Sequence, residues 1–140
     1  MISFSKTIIE QPPIKAKPVV DIDVLLSIHP ELLEDSFVYV HCHFKNHSSE
    51  MLIRIWSTTF LIDASSSARS KLVHPENITL APTWTLIPGN QEFTFLIIFS
   101  SLPKSCKQFD LVEEISQPGG FMIRNIQRNE TDVYHVDIKD

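Results

Sequence analysis

The feature that most constrains this chain is a two-residue alternation of apolar side chains, repeated in short segments. In the segment 38–45, Val38, Val40 and Cys42 fall on one side of an extended strand. In the segment 91–99, apolar residues occupy both sides, which is typical of a central strand. Turn signals separate these segments, and no long amphipathic helix is evident. The pattern predicts an all-β chain, an antiparallel immunoglobulin-like β-sandwich of about eight or nine strands.

The length of 140 residues suits one domain with its own hydrophobic core. Residues 1–18 are predicted to form an N-terminal arm, proline-rich at 11–18, because proline cannot donate to a strand ladder. The alternation begins at residue 19. We therefore expect residues 19–140 to form the β-sandwich domain.

The charge balance bears on the partners of the chain. The formal net charge is -5 at pH 7, so the surface has no basic excess to neutralise phosphates. This predicts that neither nucleic acid nor a membrane is a main partner. The first residues lack the apolar core and cleavage site of a secretory signal, so a native N-terminus would imply a cytoplasmic protein.

The segment "VYVHCHFKNH", residues 38–47, concentrates histidines. On a strand, His41 and His43 share a face, whereas Cys42 points to the other side and cannot join them as a ligand. If His47 folds back from the following turn, the three histidines could bind Zn²⁺ or Cu²⁺. The simpler interpretation, which we favour, is that these are solvent-facing residues of a strand. No other cofactor is predicted.

The two cysteines raise the question of a disulfide. Cys42 and Cys106 flank Trp56, an order that resembles the Cys–Trp–Cys arrangement of immunoglobulin domains. However, Cys106 lies in the turn-like segment "LPKSCKQ", and Lys104 stands where that arrangement has a tyrosine. The sequence favours two free thiols, with the disulfide as the open alternative.

The sequence offers no motif for catalysis. It has no G-x-S-x-G elbow, no H-E-x-x-H segment and no phosphate-binding loop, and it contains only three glycines. Glu113 and Glu114 are adjacent on a predicted strand, so their side chains should diverge. We predict no catalytic residue and expect that the protein is not an enzyme.

Apolar residues at outward positions indicate a binding surface instead. Trp84, Leu96 and Ile98, together with Leu25, would form an exposed patch wherever no second layer covers them. The edge strands of an open sheet would also offer unpaired backbone groups to another strand. The interaction residues predicted from this argument are Trp84, Leu96 and Ile98.

A series of strand and turn motifs runs through residues 36–127. The motifs are Lys45-Asn46, Leu61-Ile62-Asp63, Pro88-Gly89, Leu102-Pro103, Phe109 to Glu113 and Phe121 to Ile126. This series resembles the bacterial telokin-like, immunoglobulin-fold accessory domains, including forms common in Bacteroidetes. The resemblance implies a non-enzymatic interaction or accessory module, and it carries no catalytic residue over to this chain.

The sequence as a whole predicts a non-enzymatic protein-binding module that uses an edge strand and an exposed apolar patch. The expected partner is another protein or a second copy of this chain, as a homodimer. Two alternatives remain open. One is a β-sandwich that binds a metal through its histidines, and the other is a β-sandwich that holds a small ligand in an apolar cavity.

Overall fold

Nine β-strands and no helix lie within residues 37–139, the part of the chain that this computed structural model describes. The strands are β1 Val38–Asn46, β2 Met51–Ile53, β3 Thr59–Asp63, β4 Arg69–Glu76, β5 Thr85–Ile87, β6 Gln91–Phe99, β7 Gln108–Glu113, β8 Met122–Gln127 and β9 Val133–Ile138. The prediction of an all-β chain is confirmed. The predicted arm at residues 1–18, Leu25 and the strand that begins at residue 19 lie outside the described residues.

Seven of these strands form one continuous sheet, in the order β8-β7-β3-β4-β6-β1-β9, and β2 and β5 form a separate two-stranded ribbon. All pairings are antiparallel except that of β9 with β1, which is parallel. The sheet curls so far that Phe109 on β7 packs edge-on against Tyr134 on β9, with ring centroids 5.0 Å apart. The predicted two-sheet sandwich is therefore corrected to one nearly closed, barrel-like sheet.

The main hydrophobic core fills the inside of this curled sheet. The alternation predicted for β1 is confirmed, because Val38, Val40 and Cys42 are fully buried on the inner face. The opposing inner residues of β6 include Phe93 and Phe99, which are also fully buried. The burial of large side chains on both strands provides the main driving force for closing the sheet around them.

A second, smaller cluster lies on the outer face of β1, β6 and β9. Its buried members are Phe37, Tyr39, Leu96, Ile98 and Val133. Because β6 is apolar on both faces and lies between β4 and β1, the prediction that residues 91–99 form a central strand is confirmed. We refer to these five residues as the outer cluster.

Candidate functional site

The outer side of the ribbon carries most of the large exposed apolar side chains in residues 37–139. The exposed fractions are 52% for Leu52, 49% for Trp84 and 39% for Leu86. Leu52 lies directly opposite Leu86 in the strand register, and Trp84 precedes Leu86 by two residues and so shares its side of the ribbon. We call Leu52, Arg54, Trp84 and Leu86 the ribbon face.

Arg54 fixes the position of Trp84 on this face. Its guanidinium carbon lies 3.8 Å from the centroid of the Trp84 ring and 5.3 Å from that of Trp56. Its Nη1 also donates a hydrogen bond to the carbonyl oxygen of Pro82 at 3.2 Å. A guanidinium over an indole is attracted to the ring electrons. The indole is therefore held in place, and Arg54 keeps further N–H donors for a partner.

The ribbon is tied to the barrel through Asn46, which is 2% exposed at the end of β1. Its Nδ2 donates to the carbonyl oxygens of Ser49 and Pro88, at 2.9 and 3.0 Å. Gly89 packs against the same turn so closely that an added Cβ would lie 2.6 Å from the carbonyl oxygen of Ser48. This contact joins the turn before β2 to the turn after β5, and thus sets where the ribbon face points.

Of the three predicted interaction residues, only Trp84 belongs to the ribbon face. Leu96 and Ile98 are 7% and 0% exposed and lie in the outer cluster. Strand parity correctly places them on the outer face of β6, but both side chains are buried there. The exposed patch therefore does not include Leu96 or Ile98. The interaction role of Trp84 stays a prediction.

The predicted histidine pair is part of a stack of three imidazoles. His41 and His43 on β1 lie on either side of His135 on β9, with ring centroids 4.7 and 5.3 Å from that of His135. The Nε2 of His43 lies 3.1 Å from the Nδ1 of His135, and the Nδ1 of His43 lies 3.2 Å from Thr94 Oγ1. The sequence did not single out His135, because the parallel pairing of β9 with β1 connects residues far apart in the chain.

His41 is 4% exposed, and its Nε2 is the buried side-chain atom without a hydrogen-bond partner among the described residues. Burial, with smaller contributions from His135 and His43, lowers the pKa of His41 to about 4. His41 is therefore neutral at physiological pH.

The structure does not bring the three predicted metal ligands together. His47 is exposed in the turn after β1, whereas His41 is buried in the stack. In residues 37–139, no group of three or more His, Cys, Asp or Glu side chains is arranged to hold a metal ion. The metal site at His41, His43 and His47 stays a prediction without a geometric argument in its favour.

The cysteines are both free and buried, as the sequence favoured. Cys42 lies in the main core, where burial raises the pKa of its thiol. Cys106 is 2% exposed in the turn before β7, where burial and the neighbouring Asp63 raise the pKa of its thiol as well. Raised thiol pKa values disfavour the reactive thiolate, so neither cysteine resembles an activated nucleophile.

Four strand edges complete the inventory of possible binding surfaces. Strands β8 and β9 end the seven-stranded sheet, and no strand within residues 37–139 pairs with their outer edges. In the ribbon, β2 and β5 are paired only with each other in the named sheets of that region. The ribbon is thus the place where strand edges coincide with an exposed apolar face.

In comparisons with known proteins, no family model, curated protein or solved structure matches the chain. The resemblance to telokin-like accessory domains therefore stays a prediction. In the described part of the chain, no helix is long and apolar enough to cross a membrane.

Proposed function

We propose that this chain is a non-enzymatic module that binds another protein through the ribbon face. The observation that carries the proposal is the grouping of Leu52, Trp84 and Leu86 on one exposed side of a two-stranded ribbon. Exposed apolar groups that cluster in this way are typical of interaction sites. The accessory role implied by the family resemblance is in keeping with this proposal.

The composition of the ribbon face also favours a protein partner. Tryptophan and arginine are the side chains most enriched at the energetic centres of protein interfaces. Here Arg54 holds the Trp84 ring at 3.8 Å, so little side-chain freedom remains to be lost on binding. We therefore infer a partner surface with an apolar recess for the indole, and with a carboxylate or carbonyl group that accepts from Arg54.

The outer edges of β2 and β5, which pair with no other named strand in the described part of the chain, would let the partner add a strand to the ribbon. Backbone hydrogen bonds along such an edge supply affinity, and side chains that alternate above and below it supply specificity. The ribbon face would then form one wall of the contact. The two free thiols suit a reducing compartment, so a cytoplasmic location is part of the proposal.

The test compares capture of binding proteins by the wild type and by two ribbon variants, Trp84→Ala and Leu86→Ser. Met122→Ser is the matched control, because Met122 is 50% exposed but lies on β8 and not on the ribbon. We expect one stoichiometric partner that the ribbon variants lose and that Met122→Ser keeps. Equal losses in all three variants would contradict the proposal. Sedimentation of the purified protein shows whether that partner is a second copy of the chain.

A further inference from the structure

A cavity of about 190 Å³ lies behind the ribbon, at the end of the barrel where β1 and β9 finish. Its walls are largely apolar. They include Phe44, Ile53, Ile55, Phe95, Phe121 and Ile138. A dry cavity of roughly 150 Å³ with apolar walls is known to accept benzene. This space is therefore large enough for a body the size of one aromatic ring.

Among residues 37–139, Glu113 is the one carboxyl group in the cavity wall, and it is 8% exposed. The backbone N–H of Trp56 donates to its Oε2 at 3.0 Å. Among the described residues, no cationic side chain lies within ion-pair distance of it. Burial raises the pKa of Glu113, and hydrogen bonding from the backbones of Trp56 and Phe121 offsets this only in part. A carboxylate accepts more bonds than these, so Glu113 retains acceptor capacity toward the cavity.

The neighbouring Glu114 shows what a satisfied carboxylate looks like in the same chain. Its two oxygens accept from Nη1 and Nη2 of Arg69 at 2.7 and 2.8 Å on the outside of the sheet. The two side chains diverge, as strand parity predicts. Glu114 has a complete ion pair on the surface, whereas Glu113 faces a largely apolar cavity and forms no ion pair with any cationic side chain in residues 37–139.

We propose that the cavity binds a small primary amine whose body is one aromatic ring or a short alkyl chain. The ammonium group would donate charge-assisted hydrogen bonds to Glu113. The apolar body of the amine would fill the space between the aromatic and aliphatic side chains of the cavity wall. Arg54 and Lys139 also line the cavity, but neither forms an ion pair with Glu113, and the guanidinium of Arg54 lies over the Trp84 ring. The amine class follows from Glu113, a buried acid that forms no ion pair within the described residues.

This site is distinct from the proposed protein-binding surface, because Leu52, Trp84 and Leu86 do not line the cavity and Arg54 is the one ribbon-face residue that does. Leu86→Ser should therefore abolish protein binding without changing amine binding. Either proposal can fail while the other holds.

The experiment is calorimetric and NMR titration with three probes that share a phenyl ring: 2-phenylethylamine, phenylacetate and 2-phenylethanol. We expect saturable binding of one 2-phenylethylamine per chain, and weaker binding of the other two probes. Glu113→Gln, which keeps an acceptor for Trp56, should weaken amine binding at least about tenfold. Glu114→Gln is the matched control and should leave it unchanged.

Ile53→Trp provides a second variant that fills the cavity and leaves Glu113 in place. It should abolish binding of 2-phenylethylamine while the circular dichroism spectrum stays that of the wild type. The proposal is overturned if phenylacetate binds as tightly as the amine, if Glu113→Gln binds the amine as the wild type does, or if no probe saturates. The comparison of the three probes on the wild type decides the question even where a variant fails to fold.

Discussion

Two outward-facing apolar surfaces of this molecule differ in how far they are exposed to solvent. On the outer face of the barrel, Leu96 and Ile98 belong to a buried cluster, with 7% and 0% exposed. On the ribbon face, Leu52 is 52% exposed and Leu86 is 39% exposed. Both surfaces consist of apolar side chains at alternating positions of a strand. The sequence pattern alone therefore does not tell the buried surface from the exposed one. What separates the two surfaces is burial in the folded chain, and only the exposed surface is available to a partner.

The largest expected effect comes from a matched pair of leucine substitutions, one on each surface. Leu96→Ala should lower the free energy of unfolding by about 2–5 kcal/mol, because it removes buried methyl groups from a packed cluster. Leu86→Ala should lower it by only about 1 kcal/mol or less, since 39% of that residue's surface is already exposed to solvent. Urea unfolding of both variants measures the difference. Equal losses would break the distinction between the two surfaces.

The same comparison explains how much of the molecule could be predicted from the sequence. Alternation was sufficient for the all-β class and for the inner faces of β1 and β6, because side-chain parity is a local property. The curled single sheet was missed. Its order depends on which strands pair, and β9 pairs with β1 across most of the described chain. Such long-range pairing leaves no local signal.

The candidate site was also predicted only in part, since strand parity is local and the register between strands is not. Trp84 was singled out, and the alternation in "MLIRIW" already places Leu52 and Arg54 on one side. Their position opposite Leu86 and Trp84 depends on the register between β2 and β5, which the sequence does not specify. His135 was missed for the same reason. Asn46, part of the Lys45-Asn46 motif, serves the fold by joining two turns.

A second effect concerns the histidine at the border of the outer cluster. His41 has a pKa of about 4 in the folded chain, against 6.5 for a free histidine. The unfolded chain therefore binds the proton more tightly, and stability present above pH 6.5 is lost as the pH falls toward 4. At about 1.4 kcal/mol per pKa unit, the full loss from this residue is ~3 kcal/mol.

Urea unfolding across this pH range measures the loss, with His41→Phe as the variant that cannot take up a proton. The variant should show a pH dependence weaker by that amount. His47→Gln, at an exposed turn position, is the control and should behave as the wild type. An unchanged pH dependence in His41→Phe would show that water reaches this part of the outer face.

The smallest effect sharpens the account of the ribbon face itself. Arg54→Gln removes the guanidinium from the Trp84 ring and should cost about 0.5–1 kcal/mol of stability, the usual worth of an exposed cation–π contact. We also expect acrylamide to quench tryptophan fluorescence more strongly in this variant. Quenching identical to the wild type would mean that Arg54 does not position the indole.

The most direct test of the central claim is site-specific photo-crosslinking in the native host, with p-benzoylphenylalanine at position 86 or at position 122. Both positions are exposed, but only Leu86 lies on the ribbon face. We expect one defined adduct, with another protein, from position 86 and none from position 122. The same adduct from both positions, or no adduct from position 86, would contradict the claim that the ribbon face is the binding surface.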